Sequence, residues 1–245
     1  MLPNPARPHS SSARRDPVRG AEEAGIATKH AGGAPAGAQS PADKILVAAM
    51  RLFCREGIHA TGVDRILAEA GTAKATLYKR FGSKDGLVHE VLRRHGDAWR
   101  AWFNETLDAC PGGPAERLVA IFDVLQRWFD GDDYFGCAFI NAVAEHDKAD
   151  GAIRALALDH KRQVLDRVRA LAEAAGVLAP DALTHQIGLL MDGAIIAALV
   201  TGSSEPATTA RVAAQALVKI ALETTSEAAD APMAAIRRRA ERPGS

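Results

Sequence analysis

Residues 61 to 87, TGVDRILAEAGTAKATLYKRFGSKDGL, constrain the fold more tightly than any other stretch of the chain. Val63, Ile66, Leu67 and Ala70 recur at the spacing that puts apolar side chains on one face of a short helix. Gly71 follows where a chain leaving a helix needs a positive φ, which glycine adopts without a Cβ penalty. A second helix can then start at once, with Leu77 and Phe81 on its apolar face and Leu87 one turn into the next helix. Lys74, Thr76, Tyr78, Lys79 and Arg80 are left on the outward face. A helix of this size, cationic and rich in hydrogen-bonding groups, fits the major groove of B-DNA.

The rest of the chain is also helical in character. It is alanine-rich, only 5% of its 245 residues are aromatic, and no run alternates long enough to make a convincing strand, so the fold class is all-α. Helices are expected at about 42 to 56, 63 to 70, 74 to 80, 84 to 109, 115 to 130, 136 to 146, 151 to 175, 181 to 201 and 207 to 224. The breaks between them are Pro111-Gly112-Gly113-Pro114, Gly131-Asp132-Asp133, Gly176, Pro180-Asp181 and Gly202 to Pro206. Residues 1–40 and 226–245 have the composition of disordered tails. The expected domains are therefore a helix-turn-helix unit at 41–87 and a helical body at 88–225.

The formal net charge is zero, yet the charges are unevenly placed. The segment 41 to 95 is basic, through Lys44, Arg51, Arg55, Arg65, Lys74, Lys79, Arg80, Lys84, Arg93 and Arg94, while residues 96 to 225 carry an acidic excess. Such a bipolar chain is drawn to nucleic acid at one end and kept off it at the other. Cys54, Cys110 and Cys137 are odd in number, widely spaced and without a CxxC pair, which fits a reducing cytoplasm. Cys54 reads as a small core residue beside Phe53. The longest apolar run, Ile187 to Val200, is broken by Asp192 and falls short of the roughly 20 residues of a membrane span. No membrane partner is expected.

Thr61, Val63, Ile66, Ala70-Gly71, Lys74, Thr76-Leu77-Tyr78, Phe81, Ser83-Lys84 and Leu87, with Leu52-Phe53 and Gly57 upstream, resemble the signature of the tetracycline-repressor (TetR/AcrR) family of bacterial transcriptional regulators. The resemblance covers residues 42 to 90. It implies an N-terminal three-helix helix-turn-helix domain joined to a roughly six-helix C-terminal domain that binds a ligand and dimerises. Gly62, Ala73 and Ala75 depart from the usual serine or threonine, serine and glycine, and Thr72 stands where a hydrophobic residue is typical. Gly62 and Ala73 have no capping oxygen, so Thr61 or the turn is expected to compensate for the first, and Thr72 to restore in part the cap missing at the second.

The implied DNA-binding residues are Thr61, Thr72, Lys74, Thr76, Tyr78, Lys79 and Lys84. Thr76 and Lys79 are the candidates for base edges, and Thr61, Lys74, Tyr78 and Lys84 for phosphates. The expected ligand pocket draws on Trp99, Trp102, Phe103, Phe122, Leu125, Trp128, Phe129, Phe139, Asn141, His160, His185 and Asp192, where most of the chain's few aromatic residues gather. Leu183, Ile187, Met191, Ile195 and Leu199 form one apolar stripe, and Val212, Leu217 and Ile220 another, expected to pair with a second copy in a four-helix bundle.

The expected partners are thus double-stranded DNA with a palindromic operator, a small organic effector and a second copy of the chain. No cofactor or metal is expected, because the histidines are scattered and no HExxH spacing, phosphate loop or nucleophile elbow occurs. Glu145-His146-Asp147, the only local cluster, reads as a polar helix end. Two rival readings are a dimeric DNA-binding regulator without a ligand, and a helical enzyme or interaction module that keeps the motif as a structural hairpin.

Overall fold

The computed structural model describes residues 40–146 and 151–240, with side chains as far as residue 225. Nine α-helices and no strand occur among the described residues. They are α1 (Pro41–Glu56), α2 (Val63–Ala70), α3 (Lys74–Phe81), α4 (Lys84–Asp108), α5 (Pro114–Phe129), α6 (Ala138–Glu145), α7 (Gly151–Ala174), α8 (Pro180–Thr201) and α9 (Glu205–Ala240). The tail expected at 1–40 lies outside the described residues except for Ser40, whose hydroxyl caps α1 by accepting from the Asp43 N–H at 3.2 Å.

The breaks fall where punctuation residues dictate. Gly71 takes the left-handed conformation (φ 61°, ψ 40°) that ends α2, and its N–H returns to the Leu67 carbonyl. Ser83 opens α4 by accepting from the Gly86 N–H at 3.0 Å, and the Glu116 carboxylate accepts from the Gly113 N–H at 2.9 Å at the start of α5. Helix α6 begins at Ala138 rather than near 136, because Gly136 sits at φ +80° and must pass close to Leu199.

At the other end the backbone stays helical to Ala240, not stopping near 224 as the tail composition suggested. The run from Ser226 is rich in alanine and arginine, residues with high helix propensity, and it continues directly from a packed helix, so no new nucleus is needed.

Two hydrophobic cores result. The first gathers Ile45, Leu52, Ile66, Leu77, Leu87 and Val91 from α1 to α4, and is completed by Ala138, Phe139 and Ala142 of α6 and Ile153 of α7. The second fills the body with Phe103, Phe122, Leu125, Val168, Ile187 and Ala214, from α4, α5, α7, α8 and α9. The boundary between cores therefore does not coincide with residue 87: α4 runs through both, and α6 belongs with the N-terminal helices. Helix α8 has the length and apolarity of a membrane-crossing helix, but one of its faces, including Leu183, Ile187, Met191 and Ile195, is buried in the body core.

Candidate nucleic-acid interface and internal cavity

Helix α3 is held by one fully buried anchor, Leu77, while Lys74, Tyr78, Lys79 and Arg80 are exposed and Thr76 is half-buried. Lys84, the first residue of α4, stands half-exposed beside it. Ion pairs brace the unit from behind: Arg65 with Glu56 at 2.6 Å, and Arg51 with Glu69. The Lys74 ammonium lies 3.0 Å from the Asp64 carboxylate, whose hydrogen bond holds it above the ordinary lysine range. Asp64 thus competes with any phosphate for this cation, and the pair is exposed enough to exchange partners.

Two of the expected DNA contacts are corrected. Thr61 is fully buried, and its hydroxyl donates to the Gly57 carbonyl at 2.7 Å, closing the α1–α2 turn instead of facing solvent. Thr72 does not cap α3: Ala73 is the N-cap with no side-chain bond, and the Thr72 Oγ1 is buried without a hydrogen-bond partner. Neither threonine compensates for Gly62 or Ala73, so the first N–H groups of α2 and α3 receive no side-chain cap.

In the body, a cavity of 280 Å³ opens between α4, α5, α6, α7 and α8. Trp99, Trp128, Phe139 and His160 form its aromatic wall, with Cys137, Ile140, Val143, Met191 and Ile195 around them. The His160 ring stacks on Phe139 at 4.0 Å and meets Trp99 edge-on at 5.8 Å. Its Nδ1 lies 2.7 Å from the Arg100 Nη1, and burial, aided by that guanidinium, pushes the imidazole down to about 3, so it is neutral at physiological pH. This arrangement requires Gly96, where a Cβ would lie 2.7 Å from Phe139 Cζ and 3.1 Å from His160 Nδ1. Burial also raises the thiols of Cys54, to about 12, and of Cys137, which keeps both protonated.

The other expected pocket residues are elsewhere. Phe103, Phe122, Leu125 and Phe129 are packed in the body core. Trp102 is partly buried against that core, 6.3 Å from Trp99. Asn141 donates to the Phe135 carbonyl at 2.9 Å and faces a small crevice beside Glu145. His185 is exposed, and Asp192 forms an ion pair with Lys161 instead of lining the wall. Sequence reasoning missed Lys161, Arg154 and His95, polar residues that do line the cavity; nothing in their local pattern separates them from ordinary helix-surface charges.

The expected association stripe divides in two. Leu183, Ile187, Met191 and Ile195 are buried within the chain, so they are not available to a partner, and Leu217 is half-buried. Leu199, Val212 and Ile220 are exposed, at 40%, 64% and 59%. The outward apolar face of α8 is instead Leu189 (74% exposed), Ile196 and Val200 (79%). Leu189 also borders a groove between α8 and α9, lined in part by the small residues Gly193, Ala197 and Ala213.

The end of α6 is fastened to the DNA-binding helices within the first core. The Glu145 carboxylate accepts from the Ile58 N–H at 2.7 Å and the His59 N–H at 3.1 Å, both in the α1–α2 turn. Gly57, at φ +91°, leaves room for it, since a Cβ there would stand 2.9 Å from Glu145 Oε2. The rings of His59 and His146 meet at 5.1 Å across the same joint.

A basic helix-turn-helix head continuous with a helical body around an apolar cavity is the organisation of a DNA-binding transcriptional regulator. Residues 45–91 match the family described as bacterial regulatory proteins, tetR family, and residues 114–214 match the tetracyclin repressor-like C-terminal domain. The crystal structure of SCO4454, a TetR-family transcriptional regulator from Streptomyces coelicolor, is 30% identical, covers 75% of this chain and 97% of its own, and superposes with a TM-score of 0.68. The HTH-type transcriptional regulator LmrA of Bacillus subtilis is 35% identical over 36% of this chain and 46% of its own length. The HTH-type transcriptional repressor KstR2 of Mycolicibacterium smegmatis is 34% identical over 36% of this chain and 42% of its own. Matches to these curated relatives thus span less than half of their length. The chain belongs to the TetR family of bacterial regulatory proteins.

Proposed function

We propose that this protein is a cytoplasmic, homodimeric repressor that leaves its operator when a small organic effector fills the 280 Å³ cavity. One observation carries the reading: Ala138 and Phe139 of α6 both line the cavity and complete the core of the DNA-binding helices. A ligand that moves this wall must disturb the seat of the reading head. Two rigid connections lead outward, α4 running through both cores and Glu145 gripping the α1–α2 turn. A change in their positions alters the separation of two recognition helices, which then fail to meet successive major grooves.

On the head, Tyr78 and Lys84 grip phosphates, Lys74 does so once it leaves Asp64, and Thr76 and Lys79 reach base edges. The outward faces of α8 and α9 pair with those of a second chain, giving two heads for a palindromic site. The protein acts by binding and not by catalysis, in keeping with relatives that are transcriptional regulators.

A gel-shift titration of the full chain against the DNA flanking its own gene, with and without small-molecule extracts, tests this function. A specific shift reversed by an extract is expected. No specific shift under either condition would favour a helical enzyme or interaction module, and a shift that no extract reverses would favour a regulator without a ligand.

A further inference from the structure

His160 is the polar group on the cavity wall whose protonation and orientation are both fixed. A guanidinium can only donate, so the His160 Nδ1, 2.7 Å from the Arg100 Nη1, must accept. The ring is then neutral and carries its one proton on Nε2. A flip of the ring would set a C–H against Arg100, so the same bond holds the orientation as well as the tautomer. The Nε2–H has no acceptor among the described residues. Unlike the Trp99 indole nitrogen, which is sealed within the protein, it keeps accessible surface on a ring that borders the cavity.

The charges nearby are already answered. Lys161 is paired with Asp192, and Arg100 with Asp97 at 2.5 Å. Arg154 and His95, also on the wall, have interactions of their own. Trp128, Phe139, Met191 and Ile195 add apolar surface, and Phe139 stacks on His160 at 4.0 Å. A charged ligand would leave water for this surface, and Lys161 could meet its charge only by giving up Asp192. A pure hydrocarbon would strip the Nε2–H of solvent and return no acceptor. An uncharged molecule with one acceptor oxygen avoids both costs, and a flat apolar remainder suits the aromatic wall.

We propose that the cavity takes an uncharged, compact and largely apolar carbonyl compound, a ketone or ester carrying a flat ring, whose oxygen accepts from the His160 Nε2–H. This rests on the reading of the cavity as the effector site, and it names the chemical class of that effector.

The test is proton–nitrogen NMR of the full chain carrying labelled histidine and tryptophan, titrated with three probes of one shape: acetophenone, α-methylstyrene and benzoate. The His160 signal, assigned by its loss in His160→Phe, is expected to show the Nε2–H tautomer before any probe is added. Acetophenone should shift that proton downfield and bind roughly fivefold or more tightly than either of the other probes. In His160→Phe the preference for acetophenone over α-methylstyrene, read from the Trp99 and Trp128 indole signals, should collapse to within about twofold. Should that variant fail to fold, the order of the three probes on the wild type decides alone. An Nδ1–H tautomer, equal binding of ketone and alkene, a preference for benzoate, or a ketone preference that survives His160→Phe overturns the carbonyl assignment and leaves the effector cavity standing. No binding of any probe at millimolar concentration overturns the cavity reading itself.

Discussion

The Glu145 carboxylate and the Ile58 N–H meet at 2.7 Å across 87 residues of sequence, and the same oxygen takes the His59 N–H at 3.1 Å. Charge-assisted bonds to backbone donors are among the stronger hydrogen bonds in proteins. Glu145→Ala strands both donors and should cost about 1–3 kcal/mol. It should also raise amide hydrogen exchange at Ile58 and His59 while leaving α8 unchanged. Glu145→Gln, which keeps one acceptor, should fall between. Unaltered exchange in the α1–α2 turn of the alanine variant would remove Glu145 as the fastening of α6 to that turn.

On the head, Tyr78→Phe and Lys84→Ala should weaken DNA binding on all sequences alike, because both groups are assigned to phosphates. Loss of the Lys84 charge should lower the slope of log affinity against log salt by about 0.9. Lys79→Ala should instead relax the preference for one base by about 1–3 kcal/mol. Fluorescence anisotropy on specific and scrambled duplexes at several salt concentrations separates the two effects, and an unchanged salt slope in Lys84→Ala would unseat its phosphate contact.

Leu189 and Val200 are the most exposed large apolar residues of α8, on the face turned away from Ile187 and Ile195. Charges placed there, as in Leu189→Glu with Val200→Glu, should leave the monomer fold intact and give a monomer by sedimentation velocity at micromolar concentration. Affinity for a two-half-site duplex should drop with it. A double variant that still sediments as a dimer would show that association uses another surface.

His160 carries a pH signature. Its folded value is depressed to about 3 from the ordinary 6.5, so the unfolded chain binds the proton first as pH falls. Its contribution is fully present above 6.5 and is lost progressively as pH drops from 6.5 towards 3, at no more than about 1.4 kcal/mol per pH unit. Urea melts at pH 7 and pH 5 should show this loss in the wild type and less of it in His160→Gln. An identical pH dependence in both proteins would mean that the ring is not held neutral.

Gly96→Ala should destabilise the fold by about 1–3 kcal/mol, since the new methyl group must push aside Phe139 or His160 in a tight stack. Thermal melts of this variant against the wild type read that cost, net of the roughly 1 kcal/mol that alanine gains over glycine in a helix interior.

The head was legible from the sequence because its period and Gly71 are local signals, and the helix breaks follow proline and glycine for the same reason. Side-chain roles were less so. Thr61 matches a DNA-contact position in pattern, yet its hydroxyl serves the turn beside it, a choice that the spacing of residues does not encode. Helix α8 is apolar around most of its circumference, so the buried Leu183 and Ile187 and the exposed Leu189 and Val200 could not be told apart by periodicity. The role of Glu145 was invisible for a different reason: a carboxylate at a helix end is common, and its partners lie 86 and 87 residues upstream.

The sharing of α6 between cavity and head has a consequence for how the chain is made. The first four helices leave the ribosome early, but Ala138, Phe139, Ala142 and Ile153, which close their core, emerge only after α5. A fragment ending at residue 87 would expose that unclosed apolar surface, and an exchange of heads between relatives cut there would separate α6 from its seat. The core of the DNA-binding helices is thus completed only by residues that follow α5 in the chain, so α1 to α4 reach their final packing after a large share of the helical body has been made.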